Sequence, residues 1–180
     1  MAKNIEIKAR VAALETVRAR AQSLASRPGE ILRQTDTFFV VPEGRLKVRE
    51  FTDGTGELIA YHRANIPGPK PSVYSRYACQ NARTLCETLS RVLPVRGVVR
   101  KRREVVLIGQ TRLHLDEVEG LGAFVELEVV LGDGESAEQG ERVVRELLHA
   151  LDIPETSLMA DAYIDLLDAL TTGGRAATSQ

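Results

Sequence analysis

Cysteine is scarce: Cys79 and Cys86 are the only two in the chain. Two cannot make a disulfide framework, and their spacing does not suit a metal, so the expectation is reduced thiols packed passively in the core of a cytoplasmic protein. No apolar run approaches the ~20 residues that span a bilayer, so no membrane partner is expected. The N-terminus lacks the basic-then-apolar pattern of a signal peptide. An excess of one charge is missing too. The formal net charge is −1 over 180 residues, which argues against a general nucleic-acid binder. What is present is an ordinary apolar share of 43%, in a chain long enough to bury a core. The charges nearly cancel in sum, yet they are unevenly placed.

The chain opens MAKNIEIKAR. Strict alternation from Ile5 to Lys8 makes residues 3–10 a strand, with Glu6 and Lys8 beside Asn4 on one face and Ile5 and Ile7 on the other. Leu14, Val17, Ala21 and Leu24 follow helical spacing over 14–27, ended by Pro28-Gly29. Residues 31–41 read as a strand stopped by Pro42 and Gly44, and 45–52 and 57–64 as a hairpin around "DGTG". "NIPGPKPS", 65–72, reads as a loop. Further strands are expected at 73–79, 98–108, 111–118 and 123–131, with helices at 83–93, 137–151 and 158–170. One domain over 1–170 is expected, with 171–180 as a disordered tail. Eight strands and four helices, without βαβ alternation after the first third, give a mostly antiparallel α+β fold.

Most strands repeat the pattern of the first. Lys47 and Arg49 share a face against Leu46 and Val48, and Tyr61 shares one with Arg63. Lys101 and Arg103 fall on one side of their strand, Arg100 and Arg102 on the other. His114 and Asp116 oppose Leu113 and Leu115, and Glu126 and Glu128 oppose Val125, Leu127 and Val129. Alternation alone fits an open sheet with its charged face in water. It also fits eight strands closed into a barrel with the charges inside and helices outside. The sorting of charge by strand, basic on some and acidic on others, favours the second. Enclosed like charges repel and lose hydration, so a basic cluster asks for a highly charged anion. Carboxylates in the same cavity suit hard divalent cations. Polyphosphate with magnesium or manganese satisfies both.

"RKRR" at 100–103 also fits a nucleic-acid patch, but its apolar flanks favour a strand, and no nucleic acid is expected. Tyr61 either stacks on a base or packs. His62 is read as structural, His114 as a polar lining residue or a proton carrier, and His149 has no role.

"NIEIK" resembles the ExExK signature of the CYTH superfamily, the triphosphate tunnel metalloenzymes. "QTDTFF", "RLKVRE", "YHR", "VVRKRRE", "HLDEVEGLGAFVELE" and "AYIDLL" follow in the family's order. In size, and in lacking an added domain, the chain most resembles the class IV adenylate cyclase branch. The resemblance implies an eight-stranded antiparallel β-barrel, the triphosphate tunnel, with helices packed outside. It implies Lys8, Lys47, Arg49, Arg63, Lys101 and Arg103 as triphosphate ligands. Glu6, Asp116, Glu126 and Glu128 become the ligands of Mg2+ or Mn2+, with Glu6 and Lys8 catalytic. One departure is plain: Asn4 replaces the first glutamate, keeping a carbonyl oxygen but no charge.

The implied activity is a metal-dependent adenylate cyclase making cyclic AMP and pyrophosphate from ATP. Hydrolysis of inorganic, nucleoside or thiamine triphosphate is the alternative. A non-catalytic polyphosphate or nucleotide binder is a further one, although such a binder has no use for carboxylates that repel its ligand. A homodimer stays open.

Overall fold

The computed structural model describes the backbone of residues 2–63 and 68–176, and side chains there except at 2, 3, 63, 70–72 and 173–176. The strands are β1 (Ala2–Arg10), β2 (Glu30–Phe39), β3 (Arg45–Phe51), β4 (Gly56–Arg63), β5 (Lys70–Cys79), β6 (Val95–Ile108), β7 (Thr111–Val118) and β8 (Gly122–Val130). They pair antiparallel in the order β1-β5-β4-β3-β2-β6-β7-β8, and β8 pairs back to β1, so the barrel is closed. Eight strands leave an interior wide enough for side chains or one small ligand.

The β1–β5 pairing uses residues whose composition reads as a loop. Lys70, Pro71 and Ser72 belong to β5, where Lys70 pairs with Glu6 and Pro71 with Ile5. Proline lacks a ladder donor, and this conceals the strand.

On β1, β3, β7 and β8 the apolar face points outward, and helices cover much of it. Helix α1 (Leu14–Leu24) and α3 (Ala137–Leu151) pack Leu14, Val17, Val144, Leu148 and Leu151 on Ile5, Ile7, Leu113, Leu115, Val125 and Leu127. Helix α3 starts in a capping box: Ser136 accepts from the Gln139 amide and Gln139 reciprocates. Gly140 lets it lie close, because a Cβ there would meet Ile5 Cγ1 at 2.7 Å. Helix α2 (Ala82–Ser90), capped by Asn81, packs Ala82, Leu85 and Cys86 around Phe39 and Val48.

Helix α4 (Tyr163–Ala176) begins five residues later than its apolar spacing suggests. Leu158 bridges to Ala9, and the Met159 amide donates to the Lys8 carbonyl, so this stretch continues the barrel wall. Asp165 then accepts from the Ala162 amide and starts the helix. Its end reaches six residues into the expected tail, and 177–180 lie outside the described residues. No helix among the described residues is long and apolar enough to cross a membrane.

Candidate functional site

Along each strand the inward residues share one parity, and on β1, β3, β6 and β8 they bring the charges Glu6, Lys8, Lys47, Arg49, Lys101, Arg103, Glu126 and Glu128 inside. Phe38, Val99, Val118 and Phe124 point inward at one end, where Tyr163 and Ile164 of α4 pack on them and close that mouth. Above this plug lies a cavity of about 340 Å³. Its cationic wall comes from β3 and β6, which flank β2: Lys47, Arg49, Lys101 and Arg103. Adjoining strands β1 and β8 supply Glu6, Lys8, Glu126 and Glu128.

Two buried aspartates organise the cations. Asp36, 2% exposed, accepts from Lys47 Nζ at 2.7 Å and from Arg49 Nε and Nη2 at 2.7 and 2.8 Å. Asp116, wholly buried, accepts from Arg103 Nε and Nη2 at 2.6 and 2.5 Å and from Lys101 Nζ at 3.3 Å. The Tyr163 hydroxyl adds a fourth donor to Asp116 at 2.9 Å. Each aspartate stands directly opposite its arginine in the strand register.

Burial opposes ionisation of both carboxyls, and the adjacent cations override it. Asp36 is held well below the usual carboxylate range by Arg49 and Lys47, and Asp116 is lowered to about 2 by Arg103 and Lys101. The lysines show the converse. Burial, reinforced by Arg49, lowers Lys47 to about 7 against the pull of Asp36. Lys101 is lowered by burial and by Arg103.

Lys8 donates to the Asp161 carbonyl at 3.0 Å, stands 3.7 Å from the centre of the Tyr163 ring, and lies 3.4 Å from Glu126 Oε1. Glu126 also accepts from Arg103 Nη2 at 2.5 Å, and its carboxyl is held well below the usual range, chiefly by Arg103 and Lys8 against burial. Glu128 accepts from Arg112 Nε at 3.0 Å and stands opposite Glu6 in the register. Among the described residues, three buried polar atoms on the cavity wall have no hydrogen-bond partner: Asn4 Oδ1, Gln34 Oε1 and His114 Nδ1, the last of which stands 3.6 Å from Glu126 Oε2. Burial and Arg103 lower the His114 pKa, which favours the neutral ring.

The structure thus gathers Glu6, Lys8, Lys47, Arg49, Lys101, Arg103, Glu126 and Glu128 around one cavity. The Arg63 side chain lies outside the described residues. Asp116, expected on the metal side, is inside the barrel but behind Arg103, with its lone pairs taken by four donors. Tyr61 both lines the cavity and packs on the plug, with Lys47 at 5.8 Å from its ring. His62 and His149 are exposed. Sequence reasoning missed Asp36, Arg76, Arg112 and Tyr163 as interior groups. The parity of "QTDTFF" could have found Asp36. Tyr163 lies in the motif "AYIDLL", but its inward place depends on where α4 starts, which the apolar spacing put five residues too early.

The oxygens of Asn4, Glu6 and Glu128 suit a hard divalent cation. Asn4 Oδ1 is buried without a donor among the described residues, and two carboxylates oppose each other one step along the same seam. Among the described residues no three Asp, Glu, His or Cys side chains form a metal cage. A Mg2+ site needs none, since one or two carboxylates with substrate phosphates and water complete its shell.

A CYTH domain profile matches residues 2–163. A Methanocaldococcus jannaschii protein carrying the name "Putative adenylate cyclase" is 32% identical over 68 residues, which are 38% of this chain and 39% of that protein. The chain therefore matches about two fifths of that relative's length. Among solved structures, a Pyrococcus horikoshii protein superposes with a TM-score of 0.81 at 24% identity, covering 91% of this chain and 98% of that one. A Vibrio parahaemolyticus protein named a "putative adenylate cyclase" gives 0.74 at 18% identity, covering 92% and 97%. A Hippeastrum protein, named a "putative adenylyl cyclase" and described as having a dominant triphosphatase activity, gives 0.64 at 15% identity, covering 94% and 96%. At these identities the likeness is one of fold.

Proposed function

The chain belongs to the CYTH domain family, and on that premise we propose that it is a divalent-metal-dependent enzyme converting ATP to cyclic AMP and pyrophosphate. The observation that carries this reading is the convergence of Lys8, Lys47, Arg49, Lys101 and Arg103 on one cavity inside a closed barrel. Five cations from three strands, set beside carboxylates, match a triphosphate better than a monophosphate.

In the proposed reaction the ribose 3′-oxygen bonds to the α-phosphorus as the bond from that phosphorus to the α,β-bridging oxygen breaks. The hydroxyl proton is released, and pyrophosphate leaves. Lys47, Arg49, Lys101 and Arg103 neutralise the charge that builds on the leaving group, and their aspartate anchors let them do so without reorganising. Lys8, fixed between Asp161, Tyr163 and Glu126, holds a phosphoryl oxygen near the acidic wall. Glu6 and Glu128, with Asn4 Oδ1 and flanked by Glu126, would hold the cation. When bound, it would supply positive charge at the reacting phosphoryl group and lower the pKa of the attacking hydroxyl.

A second reading, hydrolysis of a triphosphate, is supported by the triphosphatase activity ascribed to the Hippeastrum protein. Water then attacks the terminal phosphorus within the same set of charges, the bond from that phosphorus to the β,γ-bridging oxygen breaks, and orthophosphate and the diphosphate leave. Incubation with ATP, inorganic triphosphate and thiamine triphosphate, each with Mg2+ or Mn2+ and with products weighed by mass spectrometry, tests both. Cyclic AMP with pyrophosphate supports the cyclase. Orthophosphate supports the triphosphatase, and no metal-dependent product from any substrate overturns both.

A further inference from the structure

Asp36 is a carboxylate inside a site built for an anion, and its presence there needs a reason. A triphosphate is repelled by it, and simple electrostatics makes its removal improve binding. Its placement indicates otherwise. Asp36 lies directly across from Arg49 and takes the Nε and Nη2 edge of that guanidinium, at 2.7 and 2.8 Å, which turns the Nη1 end away from the aspartate. The same carboxylate fixes Lys47 Nζ at 2.7 Å. On the far side of β2, Asp116 repeats the arrangement with Arg103 and Lys101. Two Lys-x-Arg pairs, 47–49 and 101–103, are thus each seated on one buried aspartate.

We propose that Asp36 is a positioning residue of the triphosphate site: it holds Lys47 and Arg49 in the one arrangement that grips the anion, so that removing it weakens binding despite removing a negative charge. The proposal rests on the triphosphate reading of the cavity. A fork bond to a planar carboxylate fixes both direction and distance, which a free arginine side chain loses. Asp36 also supports the charge on Lys47. Burial, Arg49 and Lys101 all press that amine toward neutrality, the rings of Phe38 and Tyr61 flank it, and Asp36 is the group that opposes the loss. Without it, Lys47 shifts further toward the neutral amine, so removing one negative charge brings the cavity less than one full unit of positive charge.

The test is a double-mutant cycle read as the Kd for sodium triphosphate, measured by titration calorimetry on the folded chain at fixed ionic strength. Asp36→Asn is expected to weaken binding about tenfold, the scale of one lost charge-assisted contact. In an Arg49→Lys background, where the fork is already gone and only the Lys47 anchor remains, the same change should shift the Kd clearly less than in the parent, by about threefold, because residues acting through one another are not additive. Asp36→Glu, which keeps the charge but adds a methylene, should bind more tightly than Asp36→Asn. It replaces Asp36→Asn in the cycle if that variant does not fold. An unchanged or tighter Kd for Asp36→Asn overturns the proposal, as does an equal loss in both backgrounds. If the parent itself does not bind triphosphate, the reading of the site falls and this inference with it. A parent that binds while Asp36→Asn binds equally well sinks the inference alone.

Discussion

Glu6 of β1 and Glu128 of β8 stand directly opposite each other across the seam that closes the barrel. Like charges at paired positions destabilise a sheet by roughly 0.2–1 kcal/mol. Arg112 offsets part of this from the Glu128 side, and a divalent cation between the two would reverse its sign. Glu6→Gln should therefore reduce metal-dependent turnover at least a hundredfold. Affinity for inorganic triphosphate, measured without divalent cation, should change less than about twofold, because the anion is held by the lysines and arginines. Steady-state assays beside calorimetry check this, and full turnover in Glu6→Gln would refute the role given to the seam.

Enclosed cations are relieved by a polyanion, so ligand charge should be visible in stability. Saturating triphosphate, at about 100 times its Kd, adds roughly 2.7 kcal/mol, which is ~5–10 °C in Tm for a chain of this size. Orthophosphate at equal ionic strength should give a much smaller rise. Thermal melts with each anion decide the matter, and equal shifts would remove the tunnel reading.

The pH dependence has two limbs of opposite origin. Asp36 and Asp116 are depressed in the fold, so they contribute stability above the ordinary carboxylate range that fades as pH falls toward about 2, the value for Asp116. Lys47 is depressed to about 7, so the unfolded chain binds its proton more tightly. Its cost is full below pH 7 and is relieved as pH rises from there toward 10.5. Unfolding by urea at pH 6, 8 and 10 should show the parent gaining stability relative to Lys47→Met across that range. A parent-minus-variant difference independent of pH would contradict the assignment.

Close approach of α3 to β1 makes Gly140 a sensitive point. A Cβ there would lie 2.7 Å from Ile5 Cγ1 and 2.8 Å from Leu131 Cδ2. Gly140→Val should cost about 1–3 kcal/mol by overpacking, despite relieving a glycine inside a helix. Urea unfolding measures it directly, and a variant as stable as the parent would show that α3 can shift outward freely.

Strand positions and inward parity were largely legible in the sequence because most strands alternate charge with apolar residues. That rule works at any position where one face is packed, so Ile5, Ile7, Leu113 and Leu115 landed outside, under helices, and Glu6, Lys47 and Lys101 inside. It failed where local chemistry masks the pattern. Pro71 disguised the start of β5, and Leu158 carries helical spacing while bridging to Ala9. Parity also cannot tell an inward carboxylate that faces the cavity from one that faces a neighbouring arginine. Asp116 and Glu126 look alike by that measure, yet only Glu126 lies on the cavity wall. The strand register supplies the missing fact, since Arg103 stands opposite Asp116.

Asn4 is the residue on which the metal reading can be tested most sharply. It is 2% exposed, its Oδ1 has no hydrogen-bond partner among the described residues, and it precedes Glu6 by one step on the inward face of the seam. A buried amide oxygen without a donor costs ~1–3 kcal/mol unless something fills it. If a cation fills it, Asn4→Glu adds a charged ligand and should lower the Mg2+ or Mn2+ concentration giving half-maximal rate. The same change adds a third carboxylate beside Glu6 and Glu128, so without divalent cation the variant should melt below the parent. Millimolar Mn2+ should then raise the variant's Tm more than the parent's. Asn4→Ala, which removes the oxygen, should move the half-maximal metal concentration upward. These are opposite signs from one position, and a general disturbance of packing produces only one. Identical metal dependence of rate and of Tm in the parent, Asn4→Glu and Asn4→Ala would place the cation elsewhere and leave Asn4 as a residue of the wall alone.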